Sequence, residues 1–262
     1  MPDDALAAPY EFEGDRGAVL CLHGFSNTPY EMRPVAEALA ARGYHVRAPA
    51  MAGHATRPEE LAHTRWSDWL GTARRAFHAL AARHERVAIV GLSMGGLLAL
   101  TLAHENGERV AGVVAMGVPL EFEWRTQQLF RLVRRLPFAD ALPFARKALG
   151  PDISDPAAAA AAPGYDRIPL VAAASLLDGQ DAVLACIDRI GVPVLVQHGR
   201  HDHVAPLRAA HRIMRLLRTP RRRLVVYPRS WHILPLDVEH EAVVADAVAF
   251  IEALAPHKDP AP

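Results

Sequence analysis

Six short runs of nearly unbroken apolar residues recur along the chain, separated for the most part by longer stretches of helical period. This alternation limits the fold more than any other feature. The runs cover residues 18–22, 44–48, 87–90, 110–116, 192–197 and 223–227. A strand that is apolar on successive residues, rather than on every second one, buries both of its faces, as a parallel strand does between two helix layers. The helical stretches at 31–42, 65–84, 94–106, 207–217 and 238–254 supply those layers. The pattern therefore predicts an α/β domain with a mostly parallel central sheet flanked by helices. At 262 residues, a single domain spanning 1–262 accommodates all of it.

One interval breaks the rhythm. No strand pattern appears between about residues 120 and 189, where Phe122, Trp124, Phe130, Phe138 and Phe144 are interspersed with prolines, Arg125, Arg131, Arg134, Arg135 and Lys147. A compact domain rarely carries so long a loop without structure of its own, so short helices are expected, inserted between two strands as a cap.

Composition narrows the partners. Twenty-nine basic residues balance 29 acidic ones, which leaves no global electrostatic pull toward nucleic acid or a membrane surface. No apolar stretch approaches the roughly 20 residues of a spanning helix, so no membrane insertion is expected. The opening MPDDALAAPYEFEGD is acidic, lacks the apolar core of a secretory signal and reads as the start of a cytoplasmic protein, while the closing APHKDPAP reads as a frayed tail. Cys21 and Cys186, two distant thiols, make no disulfide framework. The oligomeric state has no sequence signature here.

The chemistry concentrates in Val87-Ala88-Ile89-Val90-Gly91-Leu92-Ser93-Met94-Gly95-Gly96. G-x-S-x-G directly after a strand and before a helix is the setting of a nucleophile elbow, which presents a serine hydroxyl on a sharp turn at the carboxyl edge of a sheet. A serine hydroxyl needs a base to take its proton, and the base needs an acid to orient it. Asp202 follows the strand at 192–197, and His232 follows the strand at 223–227; strand ends of this kind are where open α/β sheets bind ligands. Asp181, Asp188 and Asp237 are rival acids that follow no strand so directly. The cluster His198, His201, Asp202 and His203 loosely echoes the H-x-H-x-D-H run of metallo-hydrolases with the wrong first spacing, and no metal is expected there. A tetrahedral intermediate needs two preset N–H donors, for which the candidates are Met94, after the nucleophile, and Phe25, in the H-G-F turn that ends the first strand.

The chain resembles the bacterial carboxylesterases and monoacylglycerol lipases of the α/β-hydrolase superfamily. The matching segments are LCLHGFSNTPYEMRPVAEALAARGYHVRAPAMAGH, TRWSDWL, VAIVGLSMGG, YDRIPL, VLVQHGRHDHVAP and SWHILPLD, which span about residues 18–237. The resemblance is weakest at about 120–160. It implies the α/β-hydrolase fold with a small helical cap, and a cofactor-free serine hydrolase acting on small-molecule esters of short to medium chain, including monoacylglycerols. It carries the nucleophile to Ser93, the acid to Asp202, the base to His232 and the oxyanion donors to Phe25 and Met94. It also carries a glycerol contact to Asp166, one methylene shorter than the glutamate of the family's Y-E-x-x-P segment. Where the family often has G-H-G, this chain has Gly53-His54-Ala55. Ser93 excludes the relatives of this fold that use an acidic nucleophile. A perhydrolase, a carbon–carbon-bond hydrolase with the same triad, and a non-catalytic ligand-binding relative stay open as alternatives.

Overall fold

The computed structural model describes residues 4–136, 144–146 and 150–254; Phe138, Lys147 and the APHKDPAP tail lie outside them. Seven strands form the main sheet: β1 (Tyr10–Phe12), β2 (Ala18–Leu22), β3 (His45–Ala48), β4 (Val87–Leu92), β5 (Val110–Met116), β8 (Val194–Gly199) and β9 (Arg222–Tyr227), in the order β1-β3-β2-β4-β5-β8-β9. A separate antiparallel pair joins β6 (Phe144–Arg146) to β7 (Arg167–Pro169). Every neighbouring pair in the main sheet is parallel except β1 with β3.

Eleven α-helices are described: α1 (Asp4–Ala7), α2 (Arg33–Ala40), α3 (Pro58–Ala62), α4 (Trp66–Ala81), α5 (Met94–Asn106), α6 (Trp124–Arg135), α7 (Pro156–Ala161), α8 (Leu170–Ala174), α9 (Leu176–Leu184), α10 (Leu207–Leu216) and α11 (His240–Glu252). The pleat sorts the core into two layers. On β2, Ala18, Leu20 and Leu22 pack with residues of α4, α5, α9 and α10, whereas Val19 and Cys21 pack with residues of α2 and α11. β4 divides in the same way, Val87 and Ile89 against Ala88, Val90 and Leu92. Both faces of the parallel strands are thus covered, which is why their sequences carry no alternation.

Two features depart from the sequence reading. The sequence pattern does not predict β1: three residues at a sheet edge, one exposed and two half-buried, carry too little apolar signal. The interval between β5 and β8 holds α6 to α9, but also the β6–β7 pair, again three residues per strand. Both cysteines are buried and free, and burial pushes the Cys21 thiol up to about 12. Among the described residues no helix is long and apolar enough to cross a membrane.

Candidate active site

Parallel strands deliver their carboxyl ends to one edge, and the sequence-derived candidates are found there. Ser93 directly follows β4 and directly precedes α5, with backbone angles φ 54° and ψ −117°. A non-glycine residue is held in this left-handed conformation only when its surroundings over-determine it. The flanking glycines show how. A Cβ on Gly95 would lie 2.0 Å from the Leu22 carbonyl oxygen, and one on Gly91 would lie 2.1 Å from the carbonyl oxygen of Gly95. Strand and helix approach so closely that neither position accepts a side chain. Gly95→Ala is therefore expected to destabilise the fold by about 1–3 kcal/mol or more, because backbone rather than a flexible side chain must give way. A urea titration followed by circular dichroism checks this, and an unchanged midpoint would contradict it.

His232 lies five residues past β9, and its ring is almost fully buried. Its Nδ1–H donates to Asp202 Oδ2 at 2.7 Å, and the Asp202 side chain has no exposure to solvent. The other oxygen, Oδ1, accepts from the backbone N–H groups of Val204 (2.8 Å) and Ala205 (2.7 Å). Burial alone would raise the Asp202 carboxyl, but the facing imidazolium and these hydrogen bonds outweigh it and hold the group below the usual carboxylate range. For His232, burial pulls downward, and the Asp202 charge and hydrogen bond, helped by Asp152 and Glu31, carry it above the usual imidazole value. With Nδ1–H committed to Asp202, the neutral ring keeps its lone pair on Nε2.

The loops that bear acid and base are tied together: the His201 N–H donates to the Ser230 carbonyl at 3.2 Å. Asp237, a rival acid in the sequence, instead braces this loop. It accepts from Trp231 N at 2.6 Å, Ser154 N at 3.0 Å and Val238 N at 2.8 Å. Asp181 pairs with Arg134 at 2.8 Å, and Asp188 is exposed. The histidines around Asp202 take different partners. His198 is buried and donates through Nε2 to the Ala205 carbonyl at 3.0 Å, while His203 turns to Asp152.

After β2, the H-G-F turn is held by two side chains. His23 donates through Nδ1 to the Gly24 carbonyl (2.8 Å) and accepts at Nε2 from Met51 N–H (3.0 Å). Burial lowers its pKa to about 4, so it stays neutral. Glu31, 2% exposed, accepts the Gly24 N–H at 2.9 Å and also binds the Asn27 amide. The Phe25 ring packs on Trp69 and His54. α5 begins at Met94, so its first N–H groups, unpaired within the helix, lie beside Ser93. Ala55, where the resembled family has glycine, adopts φ 56°, the left-handed region that glycine occupies without cost.

Ser93 and His232 share one cavity of about 610 Å³. Its walls are largely apolar, including Phe122, Leu129, Phe130, Ile168, Leu170 and Leu176, with Asn27, Glu31, Arg146 and Asp152 among the polar exceptions. Asp166 is not among the lining residues; its neighbour Tyr165 donates to the Gly53 carbonyl at 3.0 Å, and Arg167 pairs with Glu59. Sequence reasoning missed Glu31 and Asp152. Asp152 stands in no motif, and Glu31, although it lies within the matching segment as Tyr30-Glu31-Met32-Arg33-Pro34, is brought to the site only by the fold.

The family model described as serine aminopeptidase, S33 matches residues 13–239. The chain is 28% identical over 244 residues to a thermostable monoacylglycerol lipase of Bacillus sp. (strain H-257), covering 93% of this chain and 94% of that one. It is 29% identical over 248 residues to a carboxylesterase of Bacillus subtilis (strain 168), covering 94% and 96%. A solved structure of the metagenome-derived lipolytic enzymes LipS and LipT superposes with a TM-score of 0.87 at 29% identity, covering 94% of this chain and 98% of that one. The monoacylglycerol lipase of Paleococcus ferrophilus shares the fold with a TM-score of 0.79 at 20% identity, covering 94% and 98%.

Proposed function

The chain belongs to the serine aminopeptidase S33 family of α/β-hydrolases, and from its site and its similarity to a monoacylglycerol lipase and a carboxylesterase we propose that it hydrolyses carboxylic esters of short to medium acyl chain, monoacylglycerols among them. One observation carries the reading. A serine on a strained turn and a histidine bonded to a buried carboxylate open together into a largely apolar cavity. Ser93 attacks the ester carbonyl as His232 Nε2 takes its proton. The N–H groups of Phe25 and Met94 receive the developing oxyanion. The tetrahedral intermediate collapses to an acyl-Ser93, and His232 hands the proton to the departing alcohol. Water, deprotonated by His232, then attacks the acyl carbonyl and releases the acid.

The segment between β5 and β8 forms the cap in this reading. It supplies Phe122, Leu129, Phe130, Ile168, Leu170 and Leu176 to the cavity wall, apolar surface suited to an acyl chain rather than a sugar or peptide. Asp166 is proposed as the glycerol head-group contact on the resemblance of Tyr165-Asp166-Arg167-Ile168-Pro169 alone.

Rates on p-nitrophenyl esters of increasing acyl length, run beside 1-monoacylglycerols and aminoacyl p-nitroanilides, test the proposal. The expected result is turnover on the esters, greatest at short to medium length, with the anilides far slower. No turnover on any ester, or anilides cleaved faster than esters, would overturn it.

A further inference from the structure

We infer that Asp152 is a positioning residue for His232, a clasp through which residues 150–155 hold the catalytic base in place. The inference rests on reading Ser93, Asp202 and His232 as nucleophile, acid and base. Asp152 belongs to the interval between β5 and β8, 80 residues before His232, yet it makes four hydrogen bonds around the base. Its carbonyl oxygen accepts from the backbone N–H groups of His232 (3.2 Å) and Ile233 (3.1 Å). Its carboxylate accepts from the backbone N–H of His203 (3.0 Å) and from His203 Nδ1 (2.7 Å).

His203 is the residue after the acid, and its ring stacks edge-on against Trp231, the residue before the base, with centroids 4.7 Å apart. One residue therefore bridges the acid loop through its side chain and the base loop through its main chain. Two residues on, Ser154 N and Oγ both donate to Asp237 Oδ1, while Asp237 Oδ2 takes the Trp231 N–H. The strap is fastened on both sides of His232.

The reason for such a clasp is geometric. The β9-to-α11 connection that carries His232 has no regular structure until Leu234, so its backbone N–H groups need partners from elsewhere. The Asp152 carbonyl supplies an acceptor to two consecutive ones, and the carboxylate fixes that carbonyl in place by holding the His203 N–H and ring. A base displaced by about 1 Å from its proton-transfer position can lose about a hundredfold in rate. The Asp152 carboxylate also adds negative charge near the ring, in the same direction as Asp202 and Glu31, while His198, held neutral by burial, faces the same Asp202 oxygen with Nε2 at 3.5 Å.

The test compares Asp152→Ala, Asp152→Asn and His203→Ala with the wild type on a p-nitrophenyl ester. Active sites are counted by the endpoint of fluorophosphonate labelling. Asp152→Ala is expected to lower kcat per labelled site by about tenfold to a hundredfold with KM little changed. Asp152→Asn, which keeps an oxygen acceptor, recovers part of the loss, and the Asp152→Ala/His203→Ala double variant is no worse than Asp152→Ala alone. The acidic limb of kcat/KM moves to lower pH in both Asp152 variants, a shift that a purely structural role does not produce. Should Asp152→Ala fail to fold, Asp152→Asn and His203→Ala still carry the comparison. A kcat per site within twofold of wild type in the folded variants, or an unmoved acidic limb, would overturn the inference. A wild type that neither turns over esters nor takes the label would instead overturn the ester-hydrolase reading.

Discussion

Ser93→Ala is expected to lower kcat on a p-nitrophenyl ester by about 10⁴-fold or more, leaving only what the oxyanion donors and binding contribute without a nucleophile. Ser93 supplies the hydroxyl at the elbow, and α5 places its first N–H groups beside it. Alanine keeps the Cβ and the same φ of 54°, so the elbow and the cavity wall stay in place. The loss should therefore appear in kcat without a matching loss of stability, measured as an unchanged thermal midpoint beside initial rates. Residual activity within tenfold of wild type would mean that another group performs the attack.

Asp202→Asn is the second large effect, with kcat down by about 10⁴-fold. The carboxylate accepts from His232 Nδ1 with one oxygen and from two backbone N–H groups with the other. An amide can meet the two N–H groups with its oxygen, but it then presents NH₂ to the imidazole. That forces the proton onto Nε2, where the lone pair is needed. The pH profile reports the same change. Catalysis needs His232 unprotonated, and burial opposed by the Asp202 charge leaves its pKa above the usual imidazole value. The wild-type acidic limb of kcat/KM should accordingly lie above that value, with activity lost as pH falls through it. In Asp202→Asn the burial penalty dominates and the limb moves down. A limb that stays fixed in the variant would show that His232 is not the group being titrated.

These expectations trace to features with different legibility in the sequence. The parallel strands were readable because burial on both faces demands unbroken apolar runs: residues 18–22 and 110–116 were delimited to the residue. The elbow was readable because close strand–helix approach tolerates glycine alone at Gly91 and Gly95. β1 and the β6–β7 pair were not, since three-residue strands are held by neighbours rather than by their own pattern. The same holds for Asp152 and Glu31. A buried carboxylate looks like a surface one in sequence, and its meaning comes from which N–H groups the fold brings to it. Asp237 illustrates the converse: it competed with Asp202 as an acid, and the structure gives it the backbone of the His232 loop instead.

The central claim is that Ser93 is the nucleophile of an acyl-enzyme pathway. Reaction with a fluorophosphonate probe, followed by peptide mass mapping, tests it most directly. The expected result is one adduct per chain, on Ser93, formed fast in wild type, slowly in Asp202→Asn and not at all in Ser93→Ala. An adduct on any other residue, or undiminished labelling of Ser93→Ala, would contradict the account.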